Sequence, residues 1–476
     1  MSIKRYIAEK DTTITDAYKE GFGVRAKQSN MGEADSLEVF SIYAQASTSS
    51  VEISRILVQF PIQQLVAERI SGTLPASGSV KFFLRLFNVE HPFSVPRDFT
   101  LTINPVSKSW EEGYGVDLDT YTDNGFIANY GGYGATWQMA GSGSQWINEG
   151  SDYLTGSEYA LSYSLKTGLE DIDLDITYLT EQWINGALPN NGLLIKLSSS
   201  QEDGSTKQSY YTKKFSARGS EFYMNRPCIE ARWDPSIIDD RNNFYASSSL
   251  LNAEDNTMNV YFYNRVNGKL KNIVNNPIPT VEFYTDSAFN NSLTASYLSV
   301  SNPIPGVYKA QVALDTTASV IYDKWVNDLT TSIKYHSSSF DVYQRTNDDS
   351  NDLTEYIINI SNLKPIYNQT ENARFNIFVR EKDWHPTIYT VAYDNIENTI
   401  IPNLYYKIFR FNDNYTVIDY STGSIAYSKT SYDSNGNYFE LNMNILEKDY
   451  GYGIKLATWD GSNLVEFKNI YKFRVE

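Results

Sequence analysis

The sequence predicts an all-β protein made of sandwich domains, and three observations carry that reading. Aromatic residues form 14% of the chain, including 37 Tyr and 23 Phe, and such rings suit the half-buried surface of a pleated sheet. Gly, Asn and Ser punctuate the chain roughly every ten residues, a spacing that belongs to short strands joined by turns. Apolar residues alternate where they cluster, as in Lys81–Phe87, where Phe82, Leu84 and Leu86 share one face. A length of 476 residues allows about three domains at ~150 residues apiece.

The first domain is expected over residues 1–235. Ser54–Phe60 reads as a strand, and Pro61–Ile70 as a short helix with proline in its first turn. On the Lys81–Phe87 strand, Phe83 and Phe87 fall on the same face as Lys81 and Arg85, so that face should be partly covered. The most informative stretch runs from Asp173 to Lys196. A strand-like run leads into a short helix in which Leu179 and Trp183, one turn apart, share a face. Gly186, Pro189 and Asn190-Asn191-Gly192 then force the chain to reverse. Leu193–Leu197 alternates only weakly and reads as a strand buried on both faces. Phe222–Asp234 reads as the last strand of this domain.

A polar segment, Asp234–Asn256, with Pro235 and Asp239-Asp240, reads as a linker or a strapping loop. The second domain is expected over 257–344, with strands at Met258–Val266, Thr280–Tyr284, Ser296–Val300, Val307–Leu314 and Phe340–Gln344. Short strands at this density, in under ~100 residues, fit an immunoglobulin-like sandwich. Arg345–Asp352 is a second polar junction. The third domain, 353–476, has strand candidates at Ala373–Val379, Leu404–Arg410, Val417–Tyr420, Tyr438–Met443, Gly453–Thr458 and Leu464–Val475. Asp433-Ser-Asn-Gly-Asn437 is a hairpin-type turn. This domain is also read as a smaller immunoglobulin-like sandwich, with no clear repeat relating it to the second.

The formal net charge is −17, spread along the chain without an acidic tail. Such a field repels nucleic acid and anionic membranes, so neither is expected as a partner. Cys228 is the only cysteine, so no disulfide forms within the chain. Residues 1–20 lack the apolar core of an export signal. No stretch approaches the ~18 apolar residues that cross a bilayer as a helix. The expectation is synthesis in a cytoplasm and departure, if any, as part of a particle.

Candidate chemistry is sparse. The three histidines, His91, His336 and His385, are far apart and lack ligand spacing. Asp117, Asp119 and Asp123 alternate beside Asn124-Gly125 and could offer oxygens to calcium. No Glu closes the set, and a solvated loop of turn formers is the preferred reading. Glu111 with Glu112, or Asp171, Asp173 and Asp175, could be imagined as hydrolytic carboxylates. The three aspartates share a strand face, where outward charge is the simpler explanation. No nucleophile elbow, phosphate loop or dinucleotide fingerprint stands at a strand–helix junction. Trp137 and Trp146 are candidate rings for stacking on a sugar face. Trp183 and Trp110 are assigned to the core. Tyr130 and Tyr133, in a Gly/Tyr-rich loop with Gly131, Gly132 and Gly134, suit an adaptable interface, with protein contact preferred over sugar.

Several segments of the N-terminal half resemble the DNRLRE family, and they occur in that family's order. Asp11-Thr-Thr-Ile14 lies near the start. Arg55-Ile-Leu-Val-Gln-Phe60 resembles the "RALLRFDL" strand, and Gly72-Thr-Leu-Pro75 the nearby "LP" turn. Trp110-Glu-Glu-Gly113-Tyr-Gly115-Val-Asp117 resembles "WxEGxGxD", and Gly134-Ala-Thr-Trp137 resembles "GATW". Asp175–Lys196 resembles "DVTxLVxxWxxGxxxNxGLLLK", and Arg226–Asp234 the terminal "RPxLEVRW" strand. The resemblance covers about half the chain. It implies a jelly-roll-like β-sandwich akin to sugar-binding modules. The whole arrangement, through Arg226–Asp234 and Asn437–Gly453 above all, resembles virion structural proteins of tailed, marine contractile-tailed bacteriophages.

These readings together lead to the expectation of a non-enzymatic virion structural protein without a required cofactor. It would act in several copies at the neck, collar, tail or baseplate region, contacting other virion proteins and further copies of itself. The alternative is a carbohydrate-binding adhesion or fibre protein that recognises a host surface glycan. A secreted polysaccharide-active enzyme is a third reading, weakened by the absence of an export signal and of a convincing acid/base pair.

Overall fold

The computed structural model describes residues 2–19, 23–90, 96–116, 134–252, 255–274, 278–327, 333–344, 355–382, 388 and 398–476. Short strands dominate and helices are few and brief, so the all-β class holds. The chain forms two compact units, Ile3–Trp233 and Asp234–Glu476, with Met1–Ser2 joining the latter.

In the first unit the strands are β1 (Ile3–Ile7), β2 (Lys10–Thr15), β3 (Ser36–Tyr43), β4 (Val51–Gln59), β5 (Lys81–Leu86), β6 (Phe99–Pro105), β7 (Met139–Gly141), β8 (Ser144–Gln145), β9 (Leu161–Leu165), β10 (Ile172–Asp175), β11 (Leu193–Leu197), β12 (Tyr210–Ser216) and β13 (Cys228–Arg232). One sheet runs β1-β13-β5-β10 and a larger one β12-β3-β4-β11-β6-β9, with β2 also paired to β4. Strand neighbours are antiparallel throughout. On β5, Phe82, Leu84 and Leu86 are fully buried, as their alternation predicts. All five residues of β11 are buried, because β4 and β6 flank it on both edges and both of its faces are covered.

Helix α1 (Ile62–Ser71) follows Pro61, which occupies the cap position, and ends at Gly72 in the left-handed region with φ 76°. Helix α2 (Thr177–Ile184) buries Leu179 and Trp183 on one face, as expected from their spacing. Its first turn is held by Asp175, whose carboxylate accepts the Thr177 N–H at 2.9 Å. Gly192 adopts φ 83°, and a Cβ there would meet the Val58 carbonyl at 2.3 Å, so the close pass beside β4 requires glycine. The expected strand over Phe222–Asp234 is shorter than its composition suggests. Tyr223–Asn225 forms a 3-10 turn and pairing starts only at Cys228, after Pro227, which has no N–H to give to the ladder.

Cys228 is fully buried in β13, and burial pushes its thiol up to about 12. Native protein at pH 8 should therefore show no reaction with a thiol-specific chromogenic disulfide until denaturant is added. Stoichiometric labelling of the folded chain would contradict this placement.

In the second unit, Phe244–Tyr245, Lys334–Tyr343, Val320–Val326, Thr280–Tyr284 and Ser292–Leu293 form one sheet. Met258–Tyr263, Val307–Ala313 and Tyr297–Ile304 form another. Their shared core holds Phe262, Tyr308 and Trp325. Farther along, Tyr356–Ile360, Asn372–Glu381, Gly436–Asn442 and Ser431–Asp433 make a four-stranded sheet. Gly451–Trp459 and Leu404–Arg410 anchor a six-stranded one. The Asp433–Asn437 hairpin forms as expected, with Asp433 opposite Gly436 at φ 114°. The expected single strand Leu464–Val475 is two strands, Leu464–Glu466 and Tyr471–Val475. Val320–Val326 was not among the expected strands, because Asp323 and Lys324 break its apolar pattern; Asp323 proves to be buried and paired.

Candidate functional site

The segments singled out in the N-terminal half meet in space. Leu57, Trp110, Ala135, Trp137, Trp146 and Leu194 belong to one buried cluster. The Trp110 indole donates to the Asn191 carbonyl at 2.8 Å, joining two segments far apart in sequence. Asn190 donates to the Phe60 carbonyl, and Gln59 to that of Asn190. Glu112 receives two hydrogen bonds from Arg218, at 3.0 and 2.8 Å, and one from the Asp11 N–H at 2.9 Å. Burial pushes the neighbouring Asp11 carboxyl up to about 7.

Asn30 is the hub of this region, and sequence reasoning passed over it. Its amide donates to the carbonyls of Glu112 and Ala135, and its oxygen accepts from Gly32 and Gly115. All four hydrogen-bonding positions of a fully buried side chain are thus used. Gly113 and Gly134 press against it, and a Cβ on either would lie within 2.4 Å of Asn30 atoms. The glycines of the "WxEGxG" and "GATW" segments are therefore explained by close packing.

The structure corrects the expectation for two aromatic candidates. Trp137 is 4% exposed and Trp146 is 6% exposed, so neither presents a ring face to a ligand. The Trp146 indole donates to the Thr136 carbonyl, and the Arg55 guanidinium covers Trp137 at 5.0 Å. Asp117, Asp119, Asp123, Tyr130 and Tyr133 lie outside the described residues, as do His91 and His385. His336 lies against the Phe262 ring at 5.8 Å. Among the described residues, no group of three His, Cys, Asp or Glu side chains is placed to hold a metal ion.

The carboxylates considered as reagents are engaged in structure. Glu111 accepts the Ser142 N–H, and Asp171 that of Asn88. Asp173 joins a charged face built on β1, β13, β5 and β10. There Glu230 receives Arg5 and Arg232, each at 2.7 Å, with Arg85 at 3.6 Å. Arg232 and Arg85 also pair with Asp173. Burial alone would raise the Glu230 carboxyl, but the three guanidinium charges hold it down at about 2. Arg232 stacks over Phe83 at 4.1 Å and Arg85 over Phe87 at 5.2 Å. These contacts provide the partial cover expected for the second face of β5.

One cavity of about 250 Å³ opens in the first unit, lined by Arg55, Asn148, Glu149, Ser151, Tyr153 and Thr155. Arg55 donates through Nε and Nη2 to the Glu202 carboxylate and through Nη1 to the Gly150 carbonyl at 2.7 Å. Lys196, buried in β11, also reaches Glu202 at 3.4 Å. The Asp152 carboxylate accepts the N–H groups of Ile147 and Asn148 and fixes the loop. Ser151 adopts φ 89°, a region that non-glycine residues rarely enter. Its hydroxyl is buried and has no hydrogen-bond partner. None of these lining residues was a candidate from sequence.

No family model and no curated protein matches this chain. Among solved structures, the A168169 portion of titin aligns with a TM-score of 0.15 at 10% identity, covering 49% of this chain and 95% of that one. The Yersinia pseudotuberculosis adhesin InvE aligns with a TM-score of 0.15 at 12% identity, covering 48% of this chain and 56% of that one. Likeness at this level carries no functional argument. Among the described residues, no helix is long and apolar enough to cross a membrane.

Proposed function

We infer that the chain is a bacteriophage virion structural protein that acts through protein–protein contacts and carries out no chemistry. It serves in several copies at the neck, collar, tail or baseplate region, against other virion proteins and other copies of itself. The observation that carries this reading is the interlocking of the DNRLRE-like segments into one core around Asn30 and Trp110. Their polar residues are used to hold sheets and loops together, which suits a rigid building block. The paired carboxylates at Glu112 and Glu230 support the same reading, since each is already neutralised by arginine. A net charge of −17 supports it too, because like charge keeps copies of the chain apart before assembly.

The test is mass spectrometry of gradient-purified phage particles produced from the genome that encodes the chain. Its peptides should co-sediment with capsid and sheath proteins at several copies per particle. Their absence from intact particles would overturn the assignment.

A further inference from the structure

We propose that Lys213 and Asn88 join in an autocatalytic isopeptide bond that ties the two sheets of the first unit together. The step acts on the chain itself and turns over no substrate. It goes beyond the structural role inferred above and does not depend on it.

Placement comes first. The chain runs on past β5, and Asn88 forms an antiparallel bridge with Phe215 of β12. The Ser216 N–H donates to the Phe87 carbonyl at 2.9 Å and the Val89 N–H to the Lys214 carbonyl at 3.1 Å, which pins the two strands on either side of that bridge. β5 belongs to the four-stranded sheet, and β12 is an edge of the larger one. Lys213 stands two residues from Phe215, so it shares a face with Asn88 as a diagonal cross-strand neighbour. Its Nζ donates to Asn88 Oδ1, which sets the amine beside the carboxamide carbon.

Burial then makes the amine reactive. Lys213 has no exposed surface, and among the described residues both hydrogen-bond partners of its Nζ are neutral: the Asn88 carboxamide and the Glu170 carbonyl, the latter at 3.0 Å. The Phe215 ring lies against it at 4.9 Å. A buried ammonium without a carboxylate in contact is costly. Burial pulls Lys213 down to about 8, against the opposing influence of Asp171 and Glu170. An uncharged, nucleophilic fraction is therefore present near neutral pH. Two reactants fixed on paired strands also need no encounter step.

Asp171 carries the proton. Its carboxylate accepts the Asn88 N–H at 2.7 Å, and it acts more strongly than Glu170 on the Lys213 charge. Glu170 is committed elsewhere, since its Oε1 accepts the N–H groups of Lys166 and Thr167 at 2.8 and 2.7 Å. The Lys213 ammonium first gives a proton to water. Nζ adds to Asn88 Cγ, and the carbonyl electron pair moves onto Oδ1. Asp171 takes a proton from the attacking nitrogen and returns it to Nδ2. The carbonyl reforms, the Cγ–Nδ2 bond breaks, and ammonia departs. One C–N bond forms and one breaks, and nothing is oxidised or reduced. The buried cation becomes a neutral amide, and loss of ammonia to solvent draws the step forward.

The test is the intact mass of the purified, denatured full chain, followed by tryptic mapping. The chain should weigh one ammonia less than its sequence. Trypsin should fail to cut after Lys213 and should release a branched peptide in which Leu86–Arg97 is joined to Gln208–Lys214. Lys213→Arg and Asn88→Ala should each restore the full mass of their own sequence, and Asp171→Asn should leave most of the chain uncrosslinked. A parent chain at its full sequence mass would overturn the proposal whatever the variants do. So would an ammonia loss that maps to an Asn–Gly succinimide in place of the branched peptide. Complete crosslinking of Asp171→Asn would remove Asp171 from the relay. A crosslinked chain that is absent from particles would sink the virion assignment alone.

Discussion

Replacing Glu230 with Ala should destabilise the first unit by about 3–5 kcal/mol, the cost of removing one member of a buried charge cluster. Arg5, Arg85 and Arg232 converge on this carboxylate from β1, β5 and β13, and its side chain is 3% exposed. Without it, three like charges share one sheet face with the carboxylate between them gone. Their guanidinium planes are also locked over Phe83 and Phe87, so they cannot simply swing into water. For a unit of this size the midpoint of thermal unfolding should fall by on the order of 10 °C. Hydrogen exchange read peptide by peptide assigns the loss to β1, β5 and β13 and separates it from the second unit. A change below ~0.5 kcal/mol would place this cluster among the surface ion pairs that contribute little.

The same carboxylate gives a pH signature. Its folded value of about 2 lies below that of an unfolded glutamate, at ~4.3. The unfolded chain therefore takes up the proton first as pH falls. The stabilising contribution is complete above the unfolded value and is lost progressively as pH drops towards 2. Glu230→Gln keeps the shape and removes the titration. Relative to the parent chain, its deficit should be largest near neutrality and should shrink in acid. A deficit constant with pH would mean that shape, not charge, sets the cost.

Legibility in the sequence tracked the range of the interactions involved. Leu179 and Trp183 bury together because an i, i+4 pair lies on one helix face whatever surrounds it. The strand Leu193–Leu197 was readable because five consecutive apolar or long side chains tolerate cover on both faces. The hairpin at Asp433 needed only Asn and Gly in adjacent positions. Non-local settings were not readable. Trp137 and Trp146 lie beside a glycine-rich stretch, where exposed and buried rings look the same; Arg55 and the Thr136 carbonyl decide the matter by closing over them. Asn30 looks like any turn residue, and only the approach of Gly113 and Gly134 from more than eighty positions away makes it a hub. The cavity was equally hidden, since Arg55 comes from a strand nearly a hundred residues before the loop it meets. Asp234–Asn256 reads as a linker or a strapping loop, and its strapping role depends on Tyr432 and Asp323, which no local pattern announces.

That strap yields the other large effect, with the opposite pH sense. Arg241 is held between Asp239 at 2.7 Å and Asp323 at 3.0 Å. Asp323 also accepts the Trp325 indole N–H and the Ser338 hydroxyl. Next to it, Asp240 accepts the Tyr432 hydroxyl at 2.6 Å and the Asn259 N–H at 2.7 Å, tying together strands distant in sequence. Arg241→Met keeps much of the volume and removes the cation, so buried carboxylates face each other uncompensated. The expected loss for the second unit is again about 3–5 kcal/mol at pH 8. Burial raises Asp239 to about 6 even with Arg241 present, and raises Asp240 as well. A raised carboxyl means that the folded state holds the proton more tightly than the unfolded one. Stability from this group is therefore present at low pH and falls as pH climbs from ~4 through about 6. Removing Arg241 should steepen that fall, because the protonated acids no longer miss the cation while the ionised ones do. Urea unfolding of the variant at pH 4.5 and pH 8, followed by exchange in the peptides spanning 237–245 and 429–433, separates the cases. A penalty that narrows in acid supports a charge-held strap, and one that is equal at both values would mean that Arg241 acts by packing alone.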